Sequence, residues 1–334
     1  MTETRARDIA DFLALHGWGA AARAPLAGDA SFRRYERLRL EGRPAVLMDA
    51  PPPMEDVRPF TAIARHLIGL GYSAPQILAE DAERGLLLLE DLGDDLFNRV
   101  FETGADETRL YGAAIDLITE LHGRPPPDGL GSHDEAIMME GVDRLLEWFM
   151  PAALGAPPDE AERVAWRDAW HEVLPHRNIG PPVLALRDYH ADNLIWLPER
   201  AGHARVGLLD FQDALAGSPA YDLVSLLEDV RRDVSPALVE AMIARYLNAA
   251  PDLDPAGFRA AYAVLGGQRN TRIIGTFVRL WQRDGKPGYL DYLPRAWRLL
   301  NGDLAHPAMA PVRDWFDRNI PMDKRVAPRP EAQT

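Results

Sequence analysis

Between Gly28 and Glu90, short apolar runs alternate with turn residues, and Phe32 to Leu40, Ala45 to Met48 and Gly85 to Leu89 have the length and boundaries of strands. One segment breaks that rhythm: Pro59 to Leu70 carries Phe60, Ile63, Ala64 and Leu67 at helical spacing. The order predicts a small antiparallel sheet with one packed helix. After Gly93 the pattern becomes long and helical, over Glu107 to His122, His133 to Ala153, Asp159 to Leu174, Pro219 to Val230, Pro236 to Ala249 and Pro255 to Arg283. Three short apolar runs interrupt this half, at Val183 to Leu186, Asn193 to Leu197 and Val206 to Leu209, and chemistry is expected at their ends. The expectation is an α+β, two-lobed chain: a strand-rich lobe over residues 1–92, a connector near Glu90 to Asp94, and a helical lobe over 93–334, with a cleft between them.

Composition narrows the class. The chain has 334 residues, 47% apolar and 26% charged, which suits a globular protein and excludes a mainly disordered or fibrous one. A net charge of -14 without a Lys- or Arg-rich run argues against a surface that binds nucleic-acid phosphates. The absence of cysteine excludes disulfides, thiolate metal sites and a Cys nucleophile. The stretch Met1 to Asp11 is charged and helical in pattern rather than an apolar leader, and no window reaches the ~18 apolar residues of a membrane span. A cytoplasmic protein with no membrane partner is expected. The Pro- and charge-rich end, Asp323 to Thr334, is expected to fray.

The segment Leu186-Arg187-Asp188-Tyr189-His190-Ala191-Asp192-Asn193 follows an apolar run and holds an Asp and an Asn five residues apart. On a tight loop that spacing lets Asp188 face a substrate hydroxyl while Asn193 turns its amide oxygen to a metal. In Leu208-Leu209-Asp210-Phe211-Gln212-Asp213 an apolar strand delivers a second carboxylate, a hard oxygen ligand suited to Mg²⁺. An Asp at a strand end is also a common turn residue, so the weight rests on the combination. Run, Asp-x4-Asn, run, Asp-Phe, all behind a strand-rich lobe, is the order of a protein-kinase-like site.

With these motifs the chain resembles the aminoglycoside phosphotransferase and choline kinase superfamily, whose fold is that of the protein kinases, over nearly its whole length. Within it, Gly28-Asp29-Ala30-Ser31-Phe32-Arg33-Arg34-Tyr35, Leu47-Met48-Asp49-Ala50-Pro51-Pro52 and Leu89-Glu90-Asp91-Leu92-Gly93 look most like the anomeric N-acetylmuramate/N-acetylglucosamine kinases of bacterial cell-wall recycling. The resemblance implies transfer of the ATP γ-phosphate to the C1 hydroxyl of an amino sugar, with ATP and Mg²⁺ as cofactors. By position it implies Asp188 as base, Asn193 and Asp210 as metal ligands, and Glu90 to Leu92 as the backbone facing adenine.

Gly28 to Arg34 also makes physical sense as a phosphate cover: Gly28 permits close backbone approach, Ser31 offers a hydroxyl, and Arg33 or Arg34 offers paired donors. A hairpin turn with solvated arginines is the plainer alternative. One departure from the kinase pattern stands out. Where a strand should present a phosphate-pairing lysine, the chain has Ala45-Val46-Leu47-Met48, and Pro59 to Leu70 lacks the partner glutamate. Arg33 or Arg34 is expected to supply the missing charge.

In Gly266 to Arg272, Arg269 and Arg272 stand one turn apart and suit the lactyl carboxylate of N-acetylmuramate, against the alternative of a surface helix with i,i+3 charges. His190 does not suit Mg²⁺, which prefers oxygen ligands to imidazole. Asp222, early in a helix, is read as a cap or brace of the Asp188 loop, Asp213 as a turn residue, and Trp148, Trp166, Trp170 and Trp281 as core. Competing readings are a kinase for an aminoglycoside or choline-like amine, a nucleotide-binding pseudokinase with Met48 at the lysine position, and a metal-dependent hydrolase built on His190, Asp192 and Asp210. The oligomeric state is left open.

Overall fold

A computed structural model describes residues 3–26 and 32–328. Contacts divide the chain into two compact units, Met1–Ala114 with Ala191–Ala214, and Ile115–His190 with Leu215–Thr334. This division falls elsewhere than at residue 92, because the hairpin after the Asp-x4-Asn segment bonds to the first unit: Leu208 N donates to Ser73 O at 2.8 Å and Trp196 N to Asp95 O at 2.8 Å.

The first unit begins with α1 (Glu3–Leu15) and builds a five-stranded antiparallel sheet from β1 (Ala22–Pro25), β2 (Arg34–Leu40), β3 (Arg43–Asp49), β4 (Ile77–Asp81) and β5 (Leu86–Leu89), in the order β1-β2-β3-β5-β4. Period-two alternation gives the sheet two faces. Leu38, Ala45, Leu47, Leu86 and Leu88 pack on Ile9, Phe12 and Leu13 of α1. On the other face Arg37, Val46 and Leu89 are cross-strand neighbours. The predicted helix is α2 (Arg58–Gly69), burying Phe60, Ile63, Ala64 and Leu67 as its spacing requires. The short α3 (Phe97–Glu102) and the first part of α4 (Glu107–His122) follow.

The second unit is helical. It takes the rest of α4, then α5 (Glu135–Arg144), α6 (Met150–Leu154), α7 (Glu160–Val173), the strand β6 (Val183–Ala185), and, beyond the hairpin β7 (Leu194–Trp196)–β8 (Val206–Leu208) of the first unit, β9 (Leu215–Gly217), α8 (Tyr221–Leu227), α9 (Pro236–Ala249), α10 (Pro255–Gln282), α11 (Leu293–Leu304) and α12 (Ala310–Asn319). Four starts are capped as their sequences dictate: Asp134 on α5, Asp159 with Glu162 in a capping box on α7, Ser235 on α9 and Asp254 on α10. The segment expected as one helix over His133 to Ala153 contains a π-turn at Leu145–Phe149 between α5 and α6. There α10 crosses closely: a Cβ added at Gly275 would lie 2.3 Å from the Arg144 carbonyl carbon, so only glycine allows the approach.

Sequence periodicity missed β1, β4, β9, α3, α11 and α12. Of the four tryptophans expected in the core, Trp166 and Trp170 are fully buried, whereas Trp148 and Trp281 are only half-buried. The frayed end is corrected as far as residue 328. Arg325 is buried and donates to Ile320 O at 2.9 Å, Asn301 Oδ1 at 2.8 Å and Asp317 Oδ1 at 2.6 Å. No helix among the described residues is long and apolar enough to cross a membrane.

Candidate active site

Within the first unit a cavity of about 280 Å³ opens on the sheet face opposite α1. Leu26, Val46, Leu89, Leu92, Ile195 and Leu209 give it apolar walls, a slot for a flat ring. Its polar lining includes Glu90, Asp91 and Asp94, then Asp192, Asn193 and Asp210, with Arg37 and Arg99 as its cations.

The hairpin register explains why two residues far apart in sequence meet. Leu194 pairs with Leu208, and Leu209 N donates to Asn193 O at 3.0 Å, which sets Asn193 and Asp210 side by side on the cavity wall. Asp210 has φ 57°, a left-handed conformation that an Asp tolerates at a cost and that marks functional turns. Gln212 Nε2 donates to its Oδ1 at 3.0 Å. The next residue, Phe211, is buried and stacks on Phe60 of α2, centroids 4.9 Å apart. That stack anchors the strained turn. Ala214 N closes it by donating to Phe211 O at 3.0 Å, in keeping with the turn role expected for Asp213. An amide oxygen and a carboxylate on one polar wall fit a hard divalent cation that takes its remaining ligands from phosphate and water.

Of the residues read as nucleotide cover, Gly28 and Ser31 lie outside the described residues. Arg33 and Arg34 are separated by the structure. Arg33 Nη2 sits 3.3 Å from Asp210 Oδ1. Arg34 opens β2 as an exposed residue, one place before Tyr35, which lines the cavity. Alternation therefore turns Arg34 away from the cavity face. Glu90 and Leu92 both line the cavity, and the Glu90 carboxylate accepts from Arg200 Nη2 at 2.6 Å. The connector is held by a residue that sequence reading passed over: Arg37 pairs with Asp91 at 2.7 Å and Asp94 at 2.6 Å. An Arg on a strand facing a segment with two Asp was the available signal. The Asp94 carboxyl titrates below its ordinary range because Arg37 donates to it.

Within the second unit, Asp188 lies on a loop fixed by α8. The buried Asp222 carboxylate accepts from Leu186 N at 2.8 Å and Arg187 N at 2.9 Å, and Ser225 Oγ donates to Arg187 O at 2.9 Å. Asp222 is thus the brace that its sequence position suggested. It holds Arg187 at φ 70°, a strained conformation for an arginine. Asp188 itself is half-buried, and His190 is buried. Among the described residues no three His, Asp or Glu side chains cluster as a metal site, and His190 and Asp192 form none.

Arg269 and Arg272 do not lie on a surface helix. Both face α8: Arg269 is 2% exposed and its Nη1 donates to Glu228 O at 3.3 Å, while Arg272 Nη2 meets Tyr221 Oη at 3.4 Å. The helix that braces the Asp188 loop therefore also receives both arginines. Burial lowers the Arg269 pKa, and Asp188 is among the charges that act on it. His133, packed edge-on against Tyr221, is held neutral: burial, with Arg187, Arg272 and Arg177 around it, pushes its pKa down to about 3. Arg187, Arg269 and Arg272 thus share this unit with the buried carboxylates of Asp222 and Asp229.

The phosphotransferase enzyme family model matches residues 23–260. The N-acetylmuramate/N-acetylglucosamine kinase of Caulobacter vibrioides is 41% identical to the chain, over 97% of it and all of that protein. The protein of the same name from Pseudomonas aeruginosa is 35% identical over 89% of each. A solved structure of a choline/ethanolamine kinase family protein from Mesorhizobium loti superposes with a TM-score of 0.65 at 14% identity, covering 93% of this chain and 99% of that one, a likeness of fold. Because the family model runs through Asp188, Asn193 and Asp210 and the relatives align nearly end to end, the chain belongs to the phosphotransferase enzyme family and is an ATP-using phosphotransferase of kinase fold.

Proposed function

We propose that the protein transfers the γ-phosphate of ATP to the anomeric hydroxyl of N-acetylmuramate or N-acetylglucosamine. The observation that carries this reading is the 41% identity to a kinase named for both sugars, over 97% of the chain. In this reading the apolar slot takes the adenine, with the backbone of Glu90 to Leu92 at its edge, and Asn193 and Asp210 hold a magnesium ion. The ion, when bound, neutralises charge on the phosphates. Asp188 takes the proton from the sugar hydroxyl, its loop kept in place by Asp222. A hemiacetal hydroxyl is more acidic than an ordinary alcohol, so the carboxylate has less proton-transfer work to do, and positioning carries more of the rate.

Arg269 and Arg272 are suited to the lactyl carboxylate of N-acetylmuramate by charge-assisted pairing.

The test is a coupled ATP-consumption assay with N-acetylmuramate, N-acetylglucosamine, choline and kanamycin, with and without magnesium. Phosphorus NMR of the product is expected to report a sugar 1-phosphate, and the methyl glycoside of N-acetylglucosamine to consume no ATP. A product phosphorylated at C6, or turnover of the methyl glycoside, refutes the anomeric reading. Turnover of choline or kanamycin alone refutes the sugar reading.

A further inference from the structure

The cavity has no lysine on β3, where buried Met48 stands, and no glutamate within α2. Two residues from outside those elements meet beside its wall instead, next to Asp210. Glu55, ahead of α2, accepts a hydrogen bond from Phe32 N at 3.0 Å through Oε1 and faces Arg33 Nε at 3.9 Å through Oε2. Glu55 thus holds the backbone leading into Arg33 and sets its carboxylate charge beside one end of the guanidinium. The other end, Nη2, reaches Asp210 Oδ1 at 3.3 Å. With its side chain 12% exposed, Arg33 spans from a glutamate to the carboxylate read as a metal ligand.

We propose that Glu55 and Arg33 form the phosphate clamp of this protein in place of a lysine–glutamate pair, Arg33 as the phosphate-binding group and Glu55 as the positioning residue that aims it. The inference rests on the reading of this cavity as the nucleotide site. A planar guanidinium offers a fork of donors that matches phosphate oxygens, which a lysine does not. Its two carboxylate partners have different uses. Asp210, which lines the cavity, is the partner given up when its charge is needed elsewhere, whereas Glu55, outside the lining like Arg33 itself, stays with Arg33. The glutamate has moved from inside the helix to the turn before it, and the cation from β3 to the segment entering β2.

The experiment measures binding of ATP with magnesium, and separately of adenosine, to the full chain by calorimetry. It compares the native protein with Glu55→Gln, Arg33→Gln and the double variant. A clamp acts on phosphates and not on the base, so the ratio of ATP to adenosine affinity is expected to fall about tenfold or more in Arg33→Gln, the range for a lost charge-assisted hydrogen bond, and to fall in the same direction in Glu55→Gln. The double variant is expected to lose no more than the worse single variant, because the two residues act as one unit. Adenosine affinity in the same samples reports an intact cavity. An unchanged ratio in either single variant, or losses that multiply in the double variant, overturns the clamp while leaving the nucleotide reading in place. Failure of the native protein to bind either ligand overturns both.

Discussion

Replacing Glu228 by glutamine tests a buried proton in the core of the second unit. Glu228 Oε2 accepts from Asn270 Nδ2 at 2.7 Å, and the same amide donates to Asp303 Oδ2 at 3.0 Å, so one Asn gathers two carboxyl groups. They are 7% and 6% exposed. Burial pushes the Glu228 pKa from 4.5 up to about 7, against the pull of Asn270, Asp303, Arg269 and Tyr262. Burial, then the nearby Glu228, raises Asp303 as well. In the unfolded chain Glu228 loses its proton near 4.5; in the fold it keeps it to about 7. Between those values the folded state binds more protons, so unfolding free energy falls as pH rises through the window. At roughly 1.4 kcal/mol per pKa unit, the shift is worth on the order of 3 kcal/mol across it. Glu228→Gln keeps the size and the acceptor for Asn270 but cannot ionise. Urea unfolding at steps from pH 5 to 8 is expected to bring the variant from comparable or lower stability to a relative gain approaching that figure. A difference between variant and native protein that does not change with pH refutes the reasoning.

Asp188→Asn is expected to leave nucleotide binding near native while lowering turnover by roughly 10²–10⁴-fold, and near-native turnover removes it as the base. Asp222→Ala strips the acceptor from Leu186 N and Arg187 N, and a loss of about 1–3 kcal/mol in urea unfolding together with slower turnover is expected; native stability and turnover would rule out the brace. Gly275→Ala forces a methyl into the Arg144 backbone, so thermal unfolding should show a loss at or above the ~1–3 kcal/mol of ordinary overpacking, and an unchanged melting temperature would contradict the close crossing.

Sequence by itself determined the helices whose signals are local. The boundaries of α4 and α9 match the periodic stretches Glu107 to His122 and Pro236 to Ala249, since helical spacing and caps such as Ser235 act within a few residues of each other. It also determined the order of the motifs, because Asp188, Asn193 and Asp210 each sit at the end of a short apolar run. Tertiary structure decided what depends on partners distant in the chain. The strands β1, β4 and β9 exist because neighbouring strands complete their hydrogen bonds, and their own residues carry little apolar signal. Nothing in Arg33-Arg34 says which one turns inward; strand alternation from Tyr35, with Asp210 waiting beside the other, makes the choice. Glu55 became visible only through its contact with Phe32 and Arg33, and Arg269 changed from a plausible surface charge to a buried one because α8 packs over it. Local propensity is written residue by residue, whereas an ion pair or a burial is a property of two segments at once.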